Sequence, residues 1–265
     1  MEGPLAAPRL PIHVKAVAFD LDNTLIDILH LKTRAAEAAA WALADAGMDI
    51  HPRKAARAIL TIALETGIDR EDIVDLYIQR KLGRHDPRFA AVGRHAYERA
   101  EDENAIAYPR AHSTLLELTR RGYTLILVTD APRSRAVRRL QAARLSPFFR
   151  HLITIEDTIA GKTTTAPFEL AANMLGVRPR EILMVGDNPR LDIGTAKAFG
   201  CRTVLATYGL QPHFRSNAPE HEPGTSIQWL DELLRLLPGR QRPENPLSPC
   251  AHPPGGAAAS PEATA

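Results

Sequence analysis

Residues 14–27 read VKAVAFDLDNTLID, a short apolar run that ends in an acid-rich turn. The run from Val14 to Phe19 has the apolar character of a buried strand, and Asp20 ends it. Asp22 follows two positions later, so both carboxylates can face the same side of an extended segment. This stretch therefore predicts a buried strand whose carboxyl end carries two acids.

Later apolar segments have the same character and indicate further strands, at TLILVT (124–129), HLITI (151–155), EILMVG (181–186) and RTVLA (202–206). Helical patterns separate them over 109–121, 132–143, 165–175 and 190–199, and we expect a last helix over 226–237. Short strands that alternate with helices of this length are typical of βαβ units. The fold class that follows is α/β, with a Rossmann-like core built on a parallel sheet.

A block of helical segments separates the first predicted strand from the second, over 32–46, 52–65, 69–82 and 87–103. We interpret it as an inserted α-helical bundle, a candidate cap domain over one edge of the sheet, whose hydrophobic core includes Trp41 and Tyr77. The expected divisions are a core of 12–27 and 106–238, a helical cap of 28–105, and disordered termini at 1–11 and 239–265. The last segment is rich in Pro, Ala and Gly and has no apolar periodicity, so it cannot bury enough surface to become ordered.

The composition excludes several classes of protein. The 265 residues carry a net charge of +2, which gives no electrostatic footprint for nucleic acid or an anionic membrane. We accordingly expect one basic helix face to be solvated, which comprises Arg133, Arg135, Arg138 and Arg139. Lys32, near the first hinge of the helical block, is a candidate cation for substrate binding, but a solvated helix face is the favoured explanation for it. Two cysteines exclude a disulfide scaffold, and the absence of an export signal or a membrane-length apolar run indicates a cytoplasmic protein.

Polar residues follow the other predicted strands as well. Thr129 and Asp130 follow the second, Lys162 comes in a Gly-containing loop after the third, and Asp187 and Asp192 follow the fourth. Ligands bind outside the carboxyl ends of the strands in an open parallel sheet, so we expect these side chains to meet. Carboxylates, a hydroxyl and an ammonium group together suit a divalent metal, a phosphate and a carboxylate nucleophile.

Each of these residues also has an ordinary explanation when taken alone. An acid pair can be a solvated turn, a threonine a strand-end hydroxyl, a lysine a surface charge, and an aspartate a helix cap. An EF-hand loop is excluded, because Leu25 stands where glycine is needed and Leu31 where the last glutamate is needed. The joint occurrence of the set, in order and at strand ends, favours an active site.

The motifs resemble those of the haloacid dehalogenase-like (HAD) hydrolase superfamily over residues 14–210. The resemblance rests on Asp20-x-Asp22-x-Thr24, the strand-end Thr129, Lys162 and the GD-x4-D segment 186–192. The place of the cap, between the first two motifs, resembles the branch with helical caps. Two departures stand out: Lys162 lacks the proline that commonly follows it, and Thr129 is followed by Asp130 rather than asparagine. The second departure resembles a group of capped phosphatases, some of which act on triose or glycolate phosphates.

The resemblance implies a Mg²⁺-dependent phosphatase that hydrolyses small phosphorylated metabolites through an aspartyl-phosphate intermediate. Asp20 would be the nucleophile and Asp22 the general acid and base, while Lys162 would stabilise charge and bind substrate together with Thr129 and Asp130. The implied Mg²⁺ ligands are the Asp20 carboxylate, the Asp22 backbone carbonyl, Asp187, and Asp192 directly or through water.

Two other functions stay open at this point: a phosphomutase of the same superfamily, and a non-catalytic phosphate-binding or regulatory protein. Asp22 favours cleavage of a phosphate ester over a carbon–halogen bond, because a departing alkoxide needs a proton. The expected partner is a small phosphorylated metabolite, with no nucleic acid and no membrane, and the chain is expected to be a monomer or a homodimer.

Overall fold

The computed structural model describes residues 13–211, 215–216 and 218–239 of the chain. A six-stranded parallel sheet forms its centre, with strand order β3-β2-β1-β4-β5-β6. The strands are β1 (Ala16–Phe19), β2 (Thr124–Val128), β3 (His151–Ile153), β4 (Ile182–Gly186), β5 (Arg202–Ala206) and β6 (Thr225–Ile227). The predicted α/β fold with a parallel sheet is confirmed.

The strand order reverses between β1 and β4, which lie side by side in the middle of the sheet. A crevice opens outside the carboxyl ends of the strands at such a reversal. Asp20 follows β1 and Asp187 follows β4, so the chain brings both acids to the crevice.

Both faces of the sheet are covered, because successive side chains of a strand point to opposite faces. In β2, Leu125 and Leu127 belong to one hydrophobic cluster, while Ile126 and Val128 belong to another. The covering helices are α5 (Ala111–Arg120), α6 (Arg133–Ala142), α7 (Ala166–Leu175), α8 (Thr195–Phe199) and α9 (Leu233–Leu236), numbered after the four helices of the insertion.

The helical insertion, residues 28–105, has a hydrophobic cluster of its own. It contains α1 (Ile28–Asp45), α2 (Pro52–Thr66), α3 (Ile73–Leu82) and α4 (Pro87–Glu103). Tyr77 is buried in this cluster as predicted, but Trp41 is 55% exposed, so its assignment to the core was wrong. The buried face of α1 comprises four alanines and four larger residues, namely Ile28, Leu31, Lys32 and Leu43, and Trp41 lies on another face of the helix. The division of the chain at 28 and 105 stays a prediction, which the separate cluster supports.

Several element boundaries differ from the sequence-based expectations. Helix α1 begins at Ile28 rather than Lys32, because the Asp27 side chain accepts a hydrogen bond from the His30 N–H at 2.9 Å and caps it. Helix α3 begins only at Ile73, which leaves Asp69 in a loop. The stretch predicted as a helix over 190–199 is a π-helical turn, Pro189–Gly194, followed by α8.

The predicted last helix, 226–237, was wrong in its first half. Thr225–Ile227 forms β6, which pairs with β5 and extends the sheet, and only Leu233–Leu236 is α-helical. The predicted disordered termini lie outside the described residues, apart from residue 239. Across the described ranges, no helix combines the length and the apolar character needed to cross a membrane.

Candidate active site

All seven residues that the sequence singled out line one pocket, whose volume is about 640 Å³. They are Asp20, Asp22, Thr129, Asp130, Lys162, Asp187 and Asp192. The opposite wall comes from the helical insertion and includes Leu29, Leu64, Ile68 and Arg70. The pocket therefore lies between the carboxyl ends of the strands and the insertion.

The turn after β1 is fixed from two sides. Its Asn23 has a φ of 59°, in the left-handed region, which asparagine tolerates better than most residues. The Tyr208 hydroxyl donates to the Thr24 carbonyl at 2.7 Å. A side chain at Gly209 would clash with the Asn23 carbonyl oxygen, so the segment after β5 packs closely on the turn. These contacts hold the acid-bearing turn against the end of the sheet.

Lys162 lies between two buried carboxylates. Its Nζ donates to Asp20 Oδ1 at 2.5 Å and to Asp192 Oδ1 at 2.6 Å. Burial opposes the charge on Lys162, but Asp192 and Asp20 outweigh it and hold the Lys162 pKa above its usual value. The lysine is therefore a fixed ammonium group beside Asp20.

The loop that carries Lys162 takes its shape from Gly161 and Asp130. Gly161 has a φ of 52°, and a side chain there would clash with the Asp130 carboxylate. Asp130 Oδ1 accepts from the Lys162 backbone N–H at 2.7 Å, and the neighbouring Thr129 Oγ1 accepts from the Ala131 N–H at 3.2 Å. These contacts position Lys162 in a loop that lacks the expected proline.

The segment after β4 holds Asp187 and Asp192 in place. Asn188 caps the π-helical turn, because its Oδ1 accepts from the backbone N–H groups of Arg190 and Leu191. The Asn188 N–H donates to Asp192 Oδ2 at 2.9 Å, so both oxygens of Asp192 have partners. A side chain at Gly186 would clash with Asp192, which explains why glycine ends this strand.

Asp20, Asp187 and Asp192 form a cluster suited to a cation. Each offers a carboxylate oxygen within 4.8 Å of the others. Burial is the main cause that raises the pKa of Asp187 to about 9, and repulsion from the neighbouring carboxylates adds to it. Burial also raises the pKa of Asp20 to about 8, although Lys162 opposes this shift. Three carboxylates and one ammonium leave a charge of −2 when all are ionised. Oxygen donors with this excess charge fit Mg²⁺.

Asp22 has two oxygens in different surroundings. Its Oδ2 accepts from Arg139 Nη1 at 2.5 Å. Its Oδ1 is buried and has no hydrogen-bond partner among the residues that the structure describes. Burial raises the pKa of Asp22 to about 6, while Arg139 opposes the shift. A carboxyl group with a pKa near neutrality can both give and take a proton.

Sequence reasoning missed the charged residues behind Asp22. We expected Arg139 and Arg135 to be solvated, but both side chains are largely buried and paired with carboxylates. Lys32, also expected to be solvated, is 0% exposed and pairs with Glu101. The near-neutral net charge described the whole chain and carried no information about these contacts.

A sequence model of the haloacid dehalogenase-like hydrolases matches residues 14–200. The chain belongs to this family. The match includes the turn after β1, the helical insertion and the segments after β2, β3 and β4, and it ends with α8.

Relatives of this haloacid dehalogenase-like hydrolase include named phosphatases. The glyceraldehyde 3-phosphate phosphatase of Methanocaldococcus jannaschii is 27% identical, over 84% of this chain and 98% of the relative. The phosphoglycolate phosphatase of Yersinia pestis is 31% identical, over 74% of this chain and 82% of the relative. A crystal structure of a HAD phosphatase from Thermococcus onnurineus is 26% identical, covers 85% of this chain and 99% of its own, and superposes with a TM-score of 0.62.

Proposed function

We propose that this chain is a Mg²⁺-dependent phosphatase that hydrolyses small phosphate monoesters through an aspartyl-phosphate on Asp20. The observation that carries the proposal is the arrangement in the crevice between β1 and β4: Lys162 donates hydrogen bonds to Asp20 and Asp192, and Asp187 lies beside them. Family membership makes the chain a hydrolase, and the phosphatases among its relatives support a phosphoric monoester hydrolase.

The acid cluster would hold the Mg²⁺. The proposed ligands are the carboxylates of Asp20 and Asp187, the backbone carbonyl of Asp22, and Asp192 directly or through water. When bound, Mg²⁺ supplies positive charge that orients the phosphate and offsets the charge of the transition state.

In the first step, a carboxylate oxygen of Asp20 attacks phosphorus in line with the leaving group. Lys162 occupies Oδ1 of Asp20, so we assign the attack to Oδ2. The bond between phosphorus and the ester oxygen breaks, and Asp22 gives that oxygen a proton. Lys162 and Thr129 stabilise the phosphoryl oxygens, while Asp130 fixes the loop that carries Lys162.

In the second step, Asp22 removes a proton from water, which attacks the phosphorus of the aspartyl-phosphate. The bond between phosphorus and Asp20 breaks, inorganic phosphate leaves, and both carboxyl groups return to their starting states. The pKa of Asp22, raised by burial to about 6, suits a group that acts as an acid first and as a base afterwards.

The substrate class follows from the pocket and the relatives. The activities of the relatives named above support short phosphorylated metabolites such as a triose phosphate or phosphoglycolate. The wall of the insertion offers the apolar Leu29, Leu64 and Ile68 to the rest of the substrate, and it includes Arg70, which pairs with Asp72 at 2.5 Å. Oligomeric state, cellular location and the absence of nucleic-acid partners stay predictions.

The test is hydrolysis of p-nitrophenyl phosphate with and without Mg²⁺. We expect EDTA to abolish phosphate release, and Asp20→Asn to lower kcat by about 10⁴ or more, as loss of a covalent nucleophile does. Asp49→Asn, at an exposed position after α1, is the matched control and should keep full activity. Normal turnover by Asp20→Asn would remove Asp20 from the role of nucleophile.

The same assay distinguishes the alternatives. A phosphomutase would isomerise a hexose phosphate quickly and release phosphate slowly. A non-catalytic phosphate-binding protein would release no phosphate from a broad panel of esters, although Mg²⁺ and BeF₃⁻ would raise its melting temperature. The complete set of Asp20, Asp22, Thr129, Lys162 and Asp187 argues against the second alternative.

A further inference from the structure

A buried ionic network lies behind Asp22, where α6 meets the helical insertion. At its centre is Arg139, whose two terminal nitrogens reach different carboxylates. Nη1 lies 2.5 Å from Asp22 Oδ2, and Nη2 donates to Asp69 Oδ1. The planar guanidinium is suited to such fixed, two-sided contacts.

Further contacts fix Asp69 in turn. Lys32 Nζ lies 3.9 Å from Asp69 Oδ1 and 2.5 Å from Glu101 Oε1, and Arg135 Nη1 lies 2.5 Å from Glu101 Oε2. The network therefore pairs three cations with three anions: Lys32, Arg135 and Arg139 with Asp22, Asp69 and Glu101. A buried charge is tolerated when a group of opposite charge lies beside it. Because Arg139 is paired with two carboxylates, this network favours one orientation of its guanidinium.

Arg139 acts on the pocket without lining it. Among the described residues, the pocket wall includes Asp22 and Asp69 but not Arg139. The guanidinium occupies Asp22 Oδ2, whereas Asp22 Oδ1 has no partner within the part of the chain that the structure describes. The contact thus leaves the carboxyl group with one oxygen held by Arg139 and the other buried without a hydrogen-bond partner among the described residues.

We propose that Arg139 is a positioning residue for Asp22, which holds Oδ2 so that Oδ1 transfers the proton. Asp69 of the insertion fixes the guanidinium from the other side. The packing of the insertion and the orientation of Asp22 therefore both depend on the side chain of Arg139. As the phosphorus–oxygen bond breaks, the proton passes from Asp22 Oδ1 to the leaving oxygen, and Asp22 is left as the carboxylate that Arg139 holds. This inference rests on the proposed function.

The test compares two aryl esters of similar shape, p-nitrophenyl phosphate and phenyl phosphate. Phenolate is the poorer leaving group and depends more on protonation, and kcat/KM covers the step in which it departs. We expect Arg139→Gln to lower kcat/KM for phenyl phosphate by about 10², within the range for general acid catalysis, and that for p-nitrophenyl phosphate by less than about tenfold. Equal losses on both esters would show that Arg139 supports the structure only.

The double variant Asp22→Asn/Arg139→Gln gives a second readout. A residue that acts through Asp22 has nothing left to position once Asp22 is changed, so the double variant should match Asp22→Asn within about twofold. A further tenfold loss would contradict the proposal. The matched control is Arg138→Gln on the same helix, which pairs with Asp102 at 2.7 Å, and it should leave both esters unaffected.

Asp69→Asn covers the case in which Arg139→Gln does not fold. It keeps the contact between Arg139 and Asp22 but removes the negative charge of the second anchor, so we expect a smaller loss that is again greater for phenyl phosphate. An equal loss on both esters would overturn the proposal. Inactivity of the unaltered protein on both esters would instead contradict the proposed function, so the two failures can be told apart.

Discussion

At the scale of single residues, Asp187 shows how the proposed chemistry conflicts with stability. Burial and the neighbouring carboxylates raise its pKa to about 9. A carboxyl group whose pKa rises on folding stabilises the folded state fully only below its ordinary pKa, and this contribution is lost as the pH rises through about 9. The metal-free protein therefore carries an unfavourable group at neutral pH. Sites built for binding commonly reduce stability in this way.

We expect Asp187→Asn to raise the melting temperature of the metal-free protein at pH 8, because asparagine is neutral in both states. A gain of 1–2 kcal/mol corresponds to about 2–4 °C in a chain of this size. The same variant should lose the rise in melting temperature that Mg²⁺ causes in the unaltered protein. Differential scanning fluorimetry with EDTA or Mg²⁺ measures both effects, with Asp49→Asn as control. A lower melting temperature with the Mg²⁺ effect intact would contradict the prediction.

At the scale of secondary structure, the strands were predictable where their apolar runs were long. β1, β2, β4 and β5 are buried in the middle of the sheet and come from apolar segments that periodicity identifies. β6 has only three residues. The leucines that follow it have a helical spacing, and for this reason the predicted helix over 226–237 wrongly included most of the strand. Pairing with β5, which is a tertiary contact, decides its structure.

Helix α4 contains a glycine whose small size matters for packing. A Cβ at Gly93 would lie 2.7 Å from Val74 Cγ1 and 3.1 Å from Leu43 Cδ2, both of which are buried. Alanine would gain about 1 kcal/mol of helix propensity. Overpacking costs about 1–3 kcal/mol, and the β-branched Val74 has little freedom to move aside. The clash should therefore outweigh the gain in propensity.

We expect Gly93→Ala to lower the free energy of unfolding by up to about 2 kcal/mol in urea titrations. Val74→Ala removes the clashing methyl groups, so in that background the same change should become neutral or stabilising. Comparing Val74→Ala with the double variant Val74→Ala/Gly93→Ala separates the effect of the clash from the cost of truncating Val74. Stability equal to that of the unaltered protein in the single variant would show that the insertion relaxes around the added methyl group.

At the scale of the whole molecule, the sequence predicted which strand ends meet but not how the insertion packs on them. Strand order and the carboxyl-end rule bring Asp20, Lys162 and Asp187 together without reference to the insertion. Arg139 pairs with Asp22, 117 positions away, and with Asp69, 70 positions away. Those contacts depend on how α6 packs against the insertion, which no local pattern encodes. The part of the site that lies behind Asp22 was for this reason missed.

Proton binding, metal binding and folding are linked through the same acid cluster. Burial raises the pKa of Asp20 to about 8, although Lys162 opposes the shift, and burial raises that of Asp187 to about 9, so protons compete with a cation for both groups near neutral pH. Mg²⁺ binds carboxylates, so its binding must displace these protons. The proposed site therefore binds Mg²⁺ more tightly as the pH rises.

We expect the apparent Kd for Mg²⁺ to fall between pH 6 and pH 8, by about tenfold per pH unit for each proton displaced. Isothermal titration calorimetry in buffers of different ionisation enthalpy counts the protons released, and Asp49→Asn should release as many as the unaltered protein. An affinity that is independent of pH, with no proton release, would mean that both acids are already ionised. In that case Lys162, rather than the metal, would be the cation that keeps them charged, and the folded chain would hold the cluster ready for Mg²⁺ at every pH in this range.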